Sequence, residues 1–86
     1  MSFSIEYDVQ PLKFLKNLDK HIADRILTKM DILLTDNPIP HEAKRIVGKQ
    51  GIFRIRIGEY RALYRINYSE QKVIIIKLDK RSKVYN

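Results

Sequence analysis

The sequence predicts a small α+β domain, with a pair of antiparallel helices packed on one face of a mainly antiparallel sheet. Three observations carry this. Apolar residues recur at helical spacing through residues 9–34. From residue 44 the period becomes two. Between the alternating stretches "IFRIRI" and "YRALYRINY" stands Gly58-Glu59, where a two-residue hairpin turn with glycine first would fall.

The elements follow in order. "FSIEY" alternates, with Phe3, Ile5 and Tyr7 on one face, and reads as a first strand. Asp8 then offers an N-cap to "VQPLKFLKNL", and Pro11 lies in the first turn, where proline is tolerated. Leu12, Leu15 and Leu18, with Phe14 beside them, form its apolar stripe. Asp19 caps a second helix, "KHIADRILTKMDILLTD", whose stripe is Ile22, Ile26, Met30 and Leu33, widened by Leu27 and Leu34. Asn37-Pro38 and Pro40 end it. The Gly58-Glu59 hairpin comes next, then a turn at "SEQ" and a last strand, "KVIIIKLD". That strand is apolar on both faces, which predicts a central place in the sheet. A terminal strand, two helices and a three-stranded meander are the expected order, with the helices covering one face.

At 86 residues the chain has the length of one domain, 1–86, which buries only about 60% of its unfolded surface. It contains no cysteine, which suits a reducing compartment and excludes a disulfide framework or thiolate metal site. "MSFSIEYD" lacks the basic start and apolar run of a signal peptide, and "VIIIKL" is too short to span a bilayer. A cytoplasmic protein without membrane attachment is the expectation.

Charge divides the chain. Residues 1–43 sum to −2 and residues 44–86 to +9, giving +7 overall. A polyanion is the natural partner for the second half. With Gly58-Glu59 as the turn, Ile57 faces Tyr60, Ile55 faces Ala62 and Phe53 faces Tyr64 on an apolar side. On the other side Arg56 faces Arg61, Arg54 faces Leu63 and Ile52 faces Arg65. Like charges directly opposite destabilise a sheet by a few tenths of a kcal/mol or more, roughly. A bound phosphate is the natural candidate to offset that cost, since the guanidinium fork matches it bidentately. Glu59 and Glu70 are the alternative partners from within the chain. Lys44, Arg45 and Lys49 just upstream extend the positive surface toward backbone phosphates. The tail adds Lys80, Arg81, Lys83 and Tyr85. Beside a basic patch a tyrosine can stack on a base, or act as a general base once positive charge favours its phenolate.

These residues resemble a known family. The strand "FRIRIGEYRALYRI", the preceding "AKRIVG" and the ending "KLDKRSKVY" are together similar to the RelE/ParE superfamily of bacterial and archaeal toxins, and most of all to RelE-type mRNA interferases. The resemblance spans essentially the whole chain. It implies a type II toxin that enters the ribosomal A site and cuts mRNA by attack of a ribose 2′-hydroxyl on the adjacent phosphate, without a cofactor. By motif position it implies Arg61 as the phosphate-stabilising arginine, Tyr85 as the catalytic tyrosine, and Arg54 and Arg56 as the basic pair before the turn. Arg65, Lys44, Arg45, Lys49 and Lys80 are expected to contact RNA or phosphate. It further implies a cognate acidic, RelB-like antitoxin, with operator DNA bound only through the toxin–antitoxin complex. A ParE-like inhibitor of DNA gyrase and a non-catalytic RNA-binding homologue are the alternatives on the same scaffold.

Cleavage of this kind needs a base, an acid and charge at the phosphorane, and no metal. Histidine is absent from the basic half, with His21 in the second helix and His41 in the proline-rich loop, and no carboxylate cluster suggests a metal site. In one respect the chain departs from the family: Asp79 stands where better-known members carry a further basic residue. Proton donation then falls to Arg81 or Lys80.

Overall fold

The computed structural model describes residues 2–80. Strand β1 (Ser4–Tyr7) leads into α1 (Val9–Lys16) and α2 (Lys20–Leu34), followed by β2 (Ala43–Arg45), β3 (Ile52–Ile57), β4 (Tyr60–Asn67) and β5 (Lys72–Lys80). The five strands form one mixed sheet in the order β1-β5-β4-β3-β2, with β1 parallel to β5 and the other pairs antiparallel. Both helices lie on one face, as the sequence predicts. No helix among the described residues is long and apolar enough to cross a membrane.

The caps form where expected. Asp8 accepts a hydrogen bond from the Val9 amide at 2.8 Å, and Asp19 accepts one from His21 at 3.2 Å. Each satisfies an amide that the first helical turn leaves without a partner. The core is built from Ala23, Ile26, Met30 and Leu34 of α2 against Phe53, Ile55, Ile57, Ala62, Tyr64, Val73, Ile75 and Leu78 of the sheet. Burying each large side chain contributes about 1.5–3 kcal/mol. On α1 the inward residues are Pro11 and Leu15, whereas Leu12, expected in the stripe, is exposed. Pro11 takes the inward position and rotates Leu12 away from the sheet.

Two differences from the expected sheet matter for function. The segment entering the hairpin is itself an edge strand, β2, paired to β3 through Ala43–Ile55, Lys44–Arg54 and Arg45–Phe53. Its three residues are too few to show alternation, and only pairing reveals it. β5 is an interior strand as expected, between β4 and β1, and β4 is the middle one. The apolar residues on both faces of β5 have a local cause. Its register against β4 slips between Leu63–Lys77 and Tyr64–Ile75, leaving Ile76 as a bulge. Val73 and Ile75 point to the core before the bulge, and Leu78 does so after it. The bulge therefore turns Lys77 and Asp79 to the face away from the helices.

Beyond Tyr7, where β1 ends, the side chain of Gln10 continues the pairing with β5. Its Nε2 donates to the Leu78 carbonyl and its Oε1 accepts from the Leu78 amide, both at 2.8 Å. Gln10 thus supplies the rung that a longer first strand would have made, and fixes α1 beside the bulge. On the core side, Tyr64 donates from its hydroxyl to the Pro38 carbonyl at 2.7 Å, tying down the segment between α2 and β2. Phe53 stacks on Tyr64 with ring centroids 5.6 Å apart.

The hydroxyl of Tyr7 is buried and finds no hydrogen-bond partner among the described residues. Desolvation, with a smaller contribution from Asp31, pushes its pKa up to about 12. Burial raises that of Tyr64 as well. A phenol held neutral by the fold ionises in the unfolded chain near its ordinary value, about 10. Stability from these groups is then complete below that pH and falls as pH rises toward the folded-state values.

Gln10→Ala is expected to lower unfolding stability by about 1–3 kcal/mol in urea melts, because it strands both backbone groups of Leu78. Tyr7→Phe is expected to leave stability at neutral pH unchanged or higher, since it removes an unsatisfied hydroxyl. The same variant should lose less stability than the parent between roughly pH 10 and 12. Thermal unfolding across pH measures both effects.

Candidate functional site

The β3–β4 hairpin fixes which side chains share a face. Gly58 has φ +60°, the left-handed conformation demanded of the first central residue in this turn. The resulting register pairs Ile57–Tyr60, Arg56–Arg61, Ile55–Ala62, Arg54–Leu63, Phe53–Tyr64 and Ile52–Arg65. This is the pairing predicted from the turn. Arg54, Arg56, Arg61 and Arg65 therefore stand on the face away from the helices.

That face is organised in rows across the strands. The row nearest the turn runs from Arg56 on β3 to Arg61 on β4 and Asp79 on β5. The next runs Lys44, Arg54, Leu63 and Lys77. Arg54, Arg56, Arg61, Lys44 and Gly58 line a shallow concavity of about 390 Å³, together with Glu42, the residue preceding β2. Arg56 donates from Nε to the Gly58 carbonyl at 3.2 Å, so its guanidinium folds back over the turn. Successive rows are roughly 6.6 Å apart along the strand, within the span of neighbouring phosphates on an extended RNA. The concavity is open, cationic and rich in planar donors, a surface suited to phosphodiester oxygens.

Other predicted contacts fall elsewhere. Arg65 lies four residues along β4 from Arg61, about 13 Å away. It lines a separate concavity with Asn67, Tyr68, Ser69 and Ile74. Lys49 belongs to the loop joining β2 to β3, at the opposite end of β3 from Gly58. Arg45 is on the helix side of the sheet, where its guanidinium lies 5.0 Å from the centre of the Phe53 ring. It continues the Phe53–Tyr64 stack as a cation–π contact rather than extending the cationic concavity. Lys80 pairs with Tyr60, whose ring meets Phe14 edge-on on the helix side. Lys80 therefore stands on the opposite face from Arg61. Arg81 and Tyr85 lie outside the described residues.

The carboxylates near the arginines differ from those expected. Glu70 is held in the β4–β5 turn, where its amide donates to Asn67 and its Oε1 accepts from the Asn67 side chain at 3.0 Å. Glu59 lines a groove with Arg25 and Lys29 of α2, on the helix side. Glu42 and Asp79 instead flank the Arg56–Arg61 pair. Lys77, Glu42 and Asp79 as neighbours of this surface were not legible in the sequence, because β2 and the bulge at Ile76 place them there.

Comparison with known proteins agrees with the architecture. Residues 5–85 match the family described as the ParE toxin of type II toxin–antitoxin system, parDE. A relative from Methanocaldococcus jannaschii named RelE1 is 33% identical over 88 residues, covering 99% of this chain and 97% of that protein. The archaeal RelE–RelB complex from Pyrococcus horikoshii contains a chain similar in fold, with a TM-score of 0.77 and 29% identity, covering 98% of this chain and 100% of that one. A chain of the RelBE2 toxin–antitoxin complex from Mycobacterium tuberculosis superposes with a TM-score of 0.81 at 24% identity, covering 96% of this chain and 95% of that one, and is a likeness of fold. The protein belongs to the RelE/ParE superfamily and is a RelE-like toxin of a type II toxin–antitoxin system.

Proposed function

We propose that the protein is a metal-independent endoribonuclease that cleaves mRNA in the ribosomal A site. The observation that carries this reading is the pairing of Arg56 with Arg61 beside Arg54 and Lys44 on one exposed concavity of a RelE-like chain. The ribose 2′-oxygen attacks its own 3′ phosphorus, the bond to the 5′ oxygen of the next nucleotide breaks, and a cyclic phosphate and a free 5′ hydroxyl result. Arg61 stabilises the charge that builds on the phosphorane. Arg54, Arg56 and Lys44 hold the phosphate and its neighbours. By motif position Tyr85, as the phenolate, takes the 2′-hydroxyl proton, and Arg81 stabilises the charge on the departing 5′ oxygen, which takes its proton from water. Lys80, on the other face of β5, is the weaker candidate for that second role.

The surroundings fit this activity. A chain with net charge +7 is drawn to the ribosome and its mRNA. An acidic, RelB-like antitoxin is its proposed partner, as the relatives from P. horikoshii and M. tuberculosis are found in toxin–antitoxin complexes. The cytoplasm is the compartment that holds these partners, and operator DNA would be met through the complex. Inhibition of DNA gyrase is the second reading, favoured by the ParE description of the family that matches residues 5–85.

Mapping of mRNA 3′ ends after incubation with translating ribosomes separates the two. Cleavage within A-site codons is expected, and intact message with gyrase trapped on DNA would favour the second reading. Arg61→Ala and Tyr85→Phe should each reduce cleavage by at least about a hundredfold, the range for loss of one charge-stabilising or proton-transfer group. Their thermal unfolding should match the parent's. Arg65→Ala should retain cleavage within a few-fold, because it lies about four residues' length from Arg61 along the strand.

A further inference from the structure

The Arg56–Arg61 pair poses an electrostatic problem that the free protein must solve. Arg56 and Arg61 are directly opposite on adjacent strands, so their charges repel, and Lys44 opposite Arg54 adds a second like-charge pair one row away. The chain places a carboxylate at each end of the row nearest the turn. Asp79 is the direct cross-strand partner of Arg61 on the β5 side. Glu42 lines the concavity on the β2 side, where the β2–β3 register continued by one residue brings it beside Arg56. The row thus reads negative, positive, positive, negative across the sheet. Asp79 reaches this position because of the bulge at Ile76. Strict alternation from Val73 and Ile75 would have sent it to the core face. One of its oxygens, Oδ1, accepts from the Lys80 amide at 2.8 Å, which leaves Oδ2 outside that bond.

We propose that Glu42 and Asp79 act as built-in competing anions, which lower the positive potential of the Arg56–Arg61 row in the free toxin and oppose an entering RNA phosphate. This rests on the phosphate-binding reading of the concavity. A carboxylate and a phosphate oxygen seek the same guanidinium donors, so each carboxylate stabilises the empty site and weakens the filled one. A single phosphate then binds poorly. A ligand that offers several phosphates at once, spread over Lys44, Arg54 and Lys77 as well, regains the loss. The device favours a polynucleotide over a single phosphate.

The test uses the full chain and a short single-stranded RNA made uncleavable by 2′-O-methyl groups, with inorganic phosphate as a second probe. Dissociation constants and thermal midpoints are measured for Glu42→Gln, Asp79→Asn and the double variant, with Asp24→Asn on the exposed surface of α2 as a charge-matched control. Each neutralisation at the row is expected to tighten RNA binding about three- to tenfold at roughly 0.15 M salt, the range for one nearby charge in a partly screened site. The same variants should melt at lower temperature than the parent. Asp24→Asn should change affinity less than twofold, roughly, because long-range charge alone is screened. Asp79→Glu should restore parental affinity. Unchanged or weaker binding by Glu42→Gln and Asp79→Asn, with Arg61→Ala still weakening it, would overturn this proposal and leave the phosphate site standing. Unchanged binding by Arg56→Ala and Arg61→Ala would overturn both.

Discussion

The register of the β3–β4 hairpin is the constraint on which the rest of the structure depends. Side chains alternate along a strand, so a slip of one residue would send Phe53, Ile55 and Ile57 to solvent and the arginines into the core. Gly58 prevents that slip by taking φ +60° at the turn, a conformation that costs other residues energy. The buried aromatic stack reinforces it from within. Phe53 and Tyr64 face each other across the strands, and the Tyr64 hydroxyl reaches the Pro38 carbonyl. The same geometry that closes the core therefore assembles the cationic face. Stability and the proposed chemistry are two sides of one pairing.

A second local device determines the character of that face. The bulge at Ile76 lets β5 bury Val73, Ile75 and Leu78 while presenting Lys77 and Asp79 outward. Gln10 pins the strand from its other edge, using one side-chain amide to replace a strand rung. In the fold the acidic residue at position 79 becomes the neighbour of Arg61. A basic residue there would add to the repulsion between Arg56 and Arg61. The carboxylate reduces it, and the concavity remains cationic through Lys44 and Arg54.

Much of this was legible in the sequence, for identifiable reasons. A two-residue turn with glycine first leaves one register, so the six pairs from Ile57–Tyr60 to Ile52–Arg65 follow from counting. Asp8 and Asp19 announce their helices because capping requires a short polar side chain at a helix start. Arg45 and Lys80 were harder. Each was expected on the phosphate surface from its nearness in sequence to other basic residues. Arg45 faces Phe53 because of an edge strand three residues long, too short for periodicity to reveal. Lys80 turns away because one bulged residue inverts the alternation of everything after it. Glu42 and Asp79 stayed hidden for the same two reasons. Turn chemistry carries information locally, whereas bulges and edge pairing are set by the partner strand.

The most direct measurement is an NMR titration of the protein with a short uncleavable RNA, following the Nε–Hε signals of the arginines. Guanidinium groups that grip phosphate shift strongly on binding. A phosphate site on the outer face requires large, saturating shifts for Arg54, Arg56 and Arg61, with Arg45 and Arg25 on the helix side nearly unmoved. Shifts centred on Arg25 and Arg45, or spread evenly over all the arginines, would contradict it.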